Sequence, residues 1–279
     1  MIRSRLLFLL MLLFFLPLKG QEKPPKGALF IIGGGERTAY LMDALVAEAN
    51  LKAEDKVVIL PMASEYPDTA IHYIARDLQA KGIKNIQGIN FTAADTHDQD
   101  KLDAVRQAKL IYMTGGDQSR LMAVVANSPL HQVLRDVYSQ GALIAGTSAG
   151  AAVMSQEMIS GRQRLDTTYR ATFDKVWAEN IEITQGLGLL KDVIIDQHFI
   201  RRSRFNRLFS ALADYPKSLC IGIDESTAIV VRGKNVKVVG ESQVVVAKDM
   251  QDFQKTTKGL VTFTDIKLSF YADGQGFSL

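Results

Sequence analysis

The chain has 279 residues, of which 33 are lysine or arginine and 30 are aspartate or glutamate, giving a formal net charge of +3. Arg3, Arg5 and Lys19 fall within the first 20 residues, which hold no acidic residue, so the remainder balances at 30 basic and 30 acidic side chains. A neutral remainder argues against general binding to nucleic acid or to a membrane surface, because both need an excess of positive charge.

The N-terminus has the pattern of a cleavable secretory signal peptide. Arg3 and Arg5 precede the apolar run Leu6–Leu18, and Gly20 offers a small residue for cleavage. We therefore expect a signal peptide over residues 1–20 and a secreted or periplasmic protein, with an uncleaved anchor as the alternative. Residues 21–27 are predicted to form a linker, and residues 28–279 a single domain with a β extension from about residue 227.

Short apolar strands then alternate with helical patterns. The predicted strands are Ala28–Ile32, Lys56–Pro61, Asn85–Phe91, Leu110–Met113 and Ala142–Ala145. The helical patterns between them are Arg37–Asn50, Asp68–Lys81, Gln99–Ala108, Leu121–Asn127 and Leu130–Gln140. This rhythm predicts an α/β fold with a mostly parallel sheet flanked by helices. Beyond Thr227, short strands separated by turn residues predict antiparallel hairpins that complete or edge the sheet.

The run Gly146–Gly150 is typical of a serine nucleophile on a sharp turn between a strand and a helix. The pattern G-x-S-x-G places Ser148 at the carboxyl end of a buried strand, with a helix predicted over Ala149–Met158. An ordinary glycine-rich loop is the alternative. Gly116, which follows another strand, and Ala149 could supply N–H groups to an oxyanion. The triplet Gly33–Gly35 lacks dinucleotide-binding spacing and is the weaker candidate for this role.

A serine nucleophile needs a base, and the chain has four histidines. His198 follows the apolar run Val193–Ile195, so it is expected at a strand end, where chemistry gathers in open α/β sheets. A capping or core histidine is the alternative there. The other three, His72, His97 and His131, are predicted to lie at the surface.

Four arginines follow His198 within seven residues: Arg201, Arg202, Arg204 and Arg207. Interpreted as a helix, the segment places Arg204 and Arg207 on one face, where guanidinium groups could bind an anionic group of a substrate. A solvated basic face is the alternative. Cys220 is the single cysteine, predicted to be a buried apolar side chain, and the histidine and cysteine spacing suggests no metal site.

Together these motifs resemble the cyanophycinases of serine peptidase family S51. The resemblance covers roughly residues 28–230 and rests on the stretches Thr114–Gln118, Gly146–Ala151, Asp196–Phe199 with its arginines, and Gly222–Glu225. It implies a flavodoxin-like fold related to class I glutamine amidotransferases, no cofactor, and hydrolysis of cyanophycin, a polyaspartate carrying arginine on each β-carboxyl, to β-Asp-Arg.

The same resemblance assigns site residues. Ser148 would be the nucleophile, His198 the general base and Asp166 the third member of the triad, with Glu157, Asp174, Glu179 and Glu225 as alternatives. Substrate-binding residues would be Asp117, Gln118, Asp196, Gln197, Arg202, Arg204 and Arg207.

Two other functions stay open: an S51 dipeptidase acting on aspartyl or isoaspartyl peptides, and a secreted binding protein without catalysis. An α/β-hydrolase is disfavoured because its histidine normally lies much further from the serine, and a subtilisin because its histidine precedes the serine. The expected partner is cyanophycin or a β-aspartyl peptide, with no nucleic acid and no stable membrane partner; a homodimer is left open.

Overall fold

The computed structural model describes residues 24–165, 167, 168, 170 and 172–279. The helices are α1 (Ala39–Glu48), α2 (Pro67–Gln79), α3 (Gln99–Arg106), α4 (Gln118–Val125), α5 (Pro129–Gln140), α6 (Ala149–Ala152) and α7 (Phe205–Asp214). The first eight strands are β1 (Ala28–Ile32), β2 (Val57–Leu60), β3 (Ile86–Gly88), β4 (Leu110–Met113), β5 (Leu143–Thr147), β6 (Glu157–Gln163), β7 (Ile181–Gln185) and β8 (Val193–Gln197). The others are β9 (Leu219–Ile223), β10 (Thr227–Arg232), β11 (Asn235–Gly240), β12 (Val244–Gln251), β13 (Gln254–Lys255), β14 (Val261–Thr262), β15 (Asp265–Tyr271) and β16 (Gly276–Ser278).

An eight-stranded sheet forms the centre, in the order β16-β11-β10-β1-β5-β4-β2-β3. Its five strands β1, β5, β4, β2 and β3 are parallel, whereas β10, β11 and β16 add antiparallel strands at one edge. The α/β class with antiparallel C-terminal strands is thereby confirmed. Because β1, β5 and β4 are parallel neighbours, the loops that follow them lie side by side at the carboxyl ends of the strands.

Alternating side chains of β1 show how the sheet is covered on both faces. Leu29 and Ile31 face a core shared with α3, α4 and α5, whereas Phe30 and Ile32 face a core shared with α1 and α2. All four are fully buried. Each such side chain contributes about 1.5–3 kcal/mol when removed from water. The continuous apolar runs are therefore those of strands buried on both faces.

A second sheet of four strands, in the order β15-β12-β9-β8, lies next to the first. Its β8 and β9 run parallel, with Gln197 opposite Ile223, so the residues after both strands emerge side by side. One face of β8 and β9 packs into the core that α3, α4 and α5 share with the central sheet. The other face of these two strands is covered by α7 through Leu208 and Leu212. The strand before His198 thus belongs to this smaller sheet rather than to the central one.

Two predicted helices were wrong in extent. The helix after Ser148 ends at Ala152 instead of Met158, because backbone groups of the following residues bond to a distant segment and lead into β6. The Val153 carbonyl accepts from Leu187 N–H at 2.7 Å. The four arginines do not share one helix, since α7 begins at Phe205 and only Arg207 of the four lies within it. No helix in the described part of the chain is long and apolar enough to cross a membrane.

Candidate active site

Ser148 stands on a strained turn between β5 and α6. Its backbone has φ 53° and ψ −107°, outside the regions that non-glycine residues prefer. The flanking chain is packed so closely that a Cβ at Gly146 would lie 2.2 Å from the Gly150 carbonyl oxygen. Only glycine fits there, which explains the spacing of the motif. The turn places the Ser148 side chain beyond the carboxyl end of β5, as in nucleophile elbows.

His198 directly follows β8 and contacts the serine. Its Nε2 lies 3.0 Å from Ser148 Oγ, and its Nδ1 lies 2.6 Å from Glu225 Oε1. Because a carboxylate only accepts, Nδ1 carries the ring proton and Nε2 accepts the hydrogen of the serine hydroxyl. Serine, imidazole and carboxylate therefore form one hydrogen-bonded line, the arrangement that activates a hydroxyl for nucleophilic attack.

Glu225 contacts the imidazole in this structure, where its carboxylate accepts the single N–H at Nδ1. The predicted third residue, Asp166, lies outside the described residues. The parallel pairing of β8 with β9 brings together the segments that follow the two strands, which explains why the carboxylate comes from the loop after β9. The other predicted alternatives make contacts elsewhere: Glu157 with Gln156, Asp174 with Arg170, and Glu179 with Lys255.

The glycine triplet after β1 cradles the histidine and glutamate. A Cβ at Gly34 would lie 2.3 Å from His198 Cε1, and one at Gly35 would lie 2.6 Å from Glu225 Cβ. The Gly33 carbonyl accepts from His198 N–H at 2.7 Å. In the sequence this triplet is the weaker of the two glycine clusters as a candidate oxyanion site. Its position after β1, which neighbours the nucleophile strand β5, is the sequence signal for its place in the site.

The environment of His198 favours its neutral form. Burial lowers the pKa of the imidazole, and the positive charges of Arg202 and Arg204 lower it further, against the opposing effect of Glu225. The pKa therefore lies below the ordinary value of about 6.5. A neutral imidazole at neutral pH is the form that can take a proton from Ser148.

The loop after β4 lies beside the serine on the other side. A Cβ at Gly115 would contact Ser148 Cβ at 3.4 Å, so the Gly115–Gly116 backbone borders the nucleophile. Ala149 begins α6, where backbone N–H groups lack partners within the helix. These two backbones border Ser148, and the oxyanion role of Gly116 and Ala149 stays a prediction.

The neighbouring polar residues Asp117 and Gln118 make structural contacts. The Asp117 side chain caps α4, accepting from Ser119 N–H at 2.7 Å. The Gln118 amide is buried and donates to the Ile159 carbonyl at 3.0 Å. Both contacts fix the start of α4, which directly follows the glycine loop.

Most of the charged residues around His198 are paired with one another. Asp196 is buried and accepts from both Arg207 nitrogens Nε and Nη2, and Arg204 donates to the Gln197 side chain at 2.8 Å. Burial alone would raise the pKa of Asp196, but the Arg207 and Arg204 charges outweigh it and hold that pKa below its usual range. Arg202 is an exposed residue.

The remaining histidines and the cysteine are divided between surface and core. His72 and His97 are exposed, as predicted. His131 is buried, contrary to prediction, with Nε2 2.9 Å from the Leu187 carbonyl oxygen. Cys220 is buried, and burial strongly raises the pKa of its thiol, which keeps it protonated and unreactive. The described residues contain no cluster of three or more metal-ligating side chains.

Comparison with known proteins identifies the class. Residues 29–239 match the model of peptidase family S51. The chain is 34% identical to a cyanophycinase of Geminocystis herdmanii over 254 residues, covering 86% of this chain and 87% of that protein. It is 33% identical to a cyanophycinase of a Nostoc species over 226 residues, covering 79% and 73%. The crystal structure of a peptidase from an acI-B1 Actinobacterium shares the fold, with a TM-score of 0.65 at 23% identity over 91% of this chain and 97% of that one.

The chain belongs to peptidase family S51. It is accordingly a hydrolase that cleaves peptide bonds, of the serine type, and its similarity to cyanophycinases covers most of its length.

Proposed function

We propose that the protein is a secreted serine exopeptidase that hydrolyses cyanophycin to β-Asp-Arg dipeptides through Ser148, His198 and Glu225. The observation that carries the proposal is the unbroken line of contacts Ser148 Oγ–His198 Nε2 at 3.0 Å and His198 Nδ1–Glu225 Oε1 at 2.6 Å. Among the sequence alternatives for the third residue, Glu225 replaces Asp166. Family membership supports peptide hydrolysis as the chemistry of this line.

In the proposed mechanism, His198 takes the proton of Ser148 as Oγ attacks the carbonyl carbon of the scissile bond. The N–H groups of Gly116 and Ala149 donate to the oxyanion that forms. His198 then gives its proton to the leaving nitrogen, which departs as the amine and leaves an ester on Ser148. Water attacks that ester with His198 as base, releasing the acid product and restoring the hydroxyl. Glu225 holds the imidazole tautomer throughout.

The substrate assignment is supported by the curated relatives, which are cyanophycinases of 30–34% identity. Arg202, exposed beside His198, is the residue best placed to bind a carboxylate of the β-Asp-Arg unit. The second candidate function is cleavage of short aspartyl or isoaspartyl peptides. It is favoured by the same nucleophile and charge pattern, which would serve a small anionic peptide equally well.

The test compares the two substrate classes directly. The unmodified protein and Ser148→Ala are each incubated with insoluble cyanophycin and with short aspartyl and isoaspartyl dipeptides, and the soluble products are identified by mass spectrometry. Release of β-Asp-Arg from the polymer by the unmodified protein alone supports the proposal. Cleavage of the dipeptides without any attack on the polymer assigns the dipeptidase activity. Cleavage of neither by a folded protein contradicts both.

Export is a part of the proposal that rests on residues 1–20, which lie outside the described residues. A basic start followed by the run Leu6–Leu18 supports a cleaved signal peptide. An exported enzyme would meet polymer released by other cells. N-terminal sequencing of the protein recovered from periplasm and medium tests this: a start after Gly20 supports export, and retention of Met1 in the cytoplasm contradicts it.

A homodimer is the proposed alternative to a monomeric assembly. Light scattering of the purified protein distinguishes a dimer from a monomer.

A further inference from the structure

The peptide bond that joins Gln197 to His198 is held at both ends. His198 has φ 49°, a left-handed conformation that is unfavourable for any residue with a side chain. Its N–H donates to the Gly33 carbonyl at 2.7 Å, and the Gln197 carbonyl of the same peptide accepts from Arg204 Nη1 at 2.6 Å. An unfavourable backbone conformation persists only where surrounding contacts enforce it. Arg204 is therefore part of what orients the imidazole.

Arg204 is in turn fixed by a buried ion cluster. The same Nη1 donates to Gln197 Oε1 at 2.8 Å and lies 3.6 Å from Asp196 Oδ1. Asp196 receives Arg207 in a bidentate pair, with Nε 2.7 Å from Oδ2, and its Oδ1 also accepts from Gln197 N–H at 2.7 Å. One buried carboxylate thus gathers two guanidinium groups and the backbone just before His198.

The position of these groups also limits what else they can do. The Asp196 side chain is fully buried, and those of Arg207 and Arg204 are 8% and 11% exposed. A guanidinium that turned away to bind a substrate would leave Asp196 charged and buried, which is strongly unfavourable. Arg202, by contrast, is an exposed residue.

We propose that Asp196, Arg204 and Arg207 are positioning residues that hold His198 in line between Ser148 and Glu225, and are not ligands of the substrate. This inference rests on the proposed role of His198 as the base. It assigns Arg204 and Arg207 to the geometry of the imidazole, whereas the exposed Arg202 is the arginine proposed to bind an anionic group of the substrate.

The kinetic test separates these two roles. For Arg204→Met, kcat should fall on the order of 100-fold, the effect of misplacing a reacting group by about 1 Å, with KM changed by less than about threefold. For Arg202→Met, KM should rise instead. Arg232→Met, which removes an exposed arginine on β10, should leave both constants unchanged. A raised KM with unchanged kcat in Arg204→Met would overturn the proposal.

A second measurement needs no substrate, so it stays decisive if cyanophycin proves to be the wrong one. The His198 imidazole is titrated by NMR in the Ser148→Ala background. The charged groups that face it are Glu225 from the loop after β9 and Arg202 and Arg204 from the segment after β8.

Removing the positive charge in Arg204→Met should raise the pKa of His198 and broaden or shift its ring signals. Arg204→Lys, which keeps the charge, should leave that pKa nearer the unmodified value while losing the paired contacts to Gln197. Unchanged ring signals and an unchanged titration in both variants would show that Arg204 does not position the imidazole. The buried pair of Asp196 and Arg207 is tested with Arg207→Lys, which keeps the positive charge beside Asp196 but cannot form the bidentate contact. Circular dichroism verifies that the variant folds. The substitution should lower kcat without raising KM, and a raised KM alone would contradict the positioning role of Arg207.

Discussion

Replacing Gly34 with alanine should disable the enzyme without unfolding it. Gly34 has φ +110° and faces the ring of His198, with the site of an added Cβ only 2.3 Å from Cε1 and 2.4 Å from Nε2. Carbon and nitrogen atoms that are not bonded approach to about 3.5 Å, so the ring or the loop must move by about 1 Å. That movement is directed at the nitrogen that accepts from Ser148.

A displacement of about 1 Å between reacting groups costs on the order of 100-fold in rate, so kcat for Gly34→Ala should fall by at least that factor. The backbone conformation adds a separate effect on stability, about 1–3 kcal/mol for alanine at a positive φ. Gly82→Ala is the matched control, because Gly82 also has a positive φ, +83°, but nothing lies within 4 Å of its added Cβ. It should lose stability and keep its activity.

The assay measures initial rates of β-Asp-Arg release from cyanophycin, the proposed substrate, for the two variants, with denaturant unfolding of each to report stability. The steric reasoning predicts a large loss of kcat in Gly34→Ala only. If Gly34→Ala stayed folded and worked within about threefold of the unmodified rate, the proposed packing of the glycine loop against the imidazole would be refuted.

Three further predictions follow from the site and its surroundings. Glu225→Gln should lower kcat on the order of 10³–10⁴-fold by removing the carboxylate that holds the tautomer of His198, and an activity close to normal in steady-state assays would contradict its role. The pH at which kcat/KM falls to half on the acid side should lie below 6.5, because His198 must be neutral to act as base and burial lowers its pKa. A midpoint above 6.5 would contradict a lowered pKa of His198. His131→Leu should lower the free energy of unfolding by about 1–3 kcal/mol, because the Leu187 carbonyl loses its buried partner, while His72→Leu on the surface should change it little; equal effects in denaturant unfolding would argue against that contact.

The fold and two of the three residues in the proposed triad could be predicted from local sequence signals. Ser148 and His198 each directly follow a short apolar strand, and functional side chains gather at the carboxyl ends of such strands. That the two strands belong to different sheets was not visible in the sequence. Continuous apolar runs between helical patterns indicated a sheet covered on both faces. These signals need only neighbours along the chain.

Glu225 could not be selected in this way, because its contact depends on which strand lies beside β8. Glu225 also follows an apolar strand, but the pairing of Gln197 with Ile223, which brings it to His198, forms only in the tertiary structure. The helix after Ser148 was overpredicted for a related reason. Its small and apolar residues are compatible with a helix, but bonds to the segment around Leu187 and Leu190 redirect the chain after Val153. In both places long-range contacts outweigh local preference.

The central claim, that Ser148 forms a covalent acyl intermediate, is tested most directly by acid quenching during the first turnovers, followed by mass spectrometry of the intact protein and of its peptides. The account predicts an adduct with the mass of the acyl part of the substrate on the peptide that contains Ser148. The adduct should be absent from Ser148→Ala, which should also be inactive. Turnover by Ser148→Ala, or an adduct mapped to another residue, would contradict it.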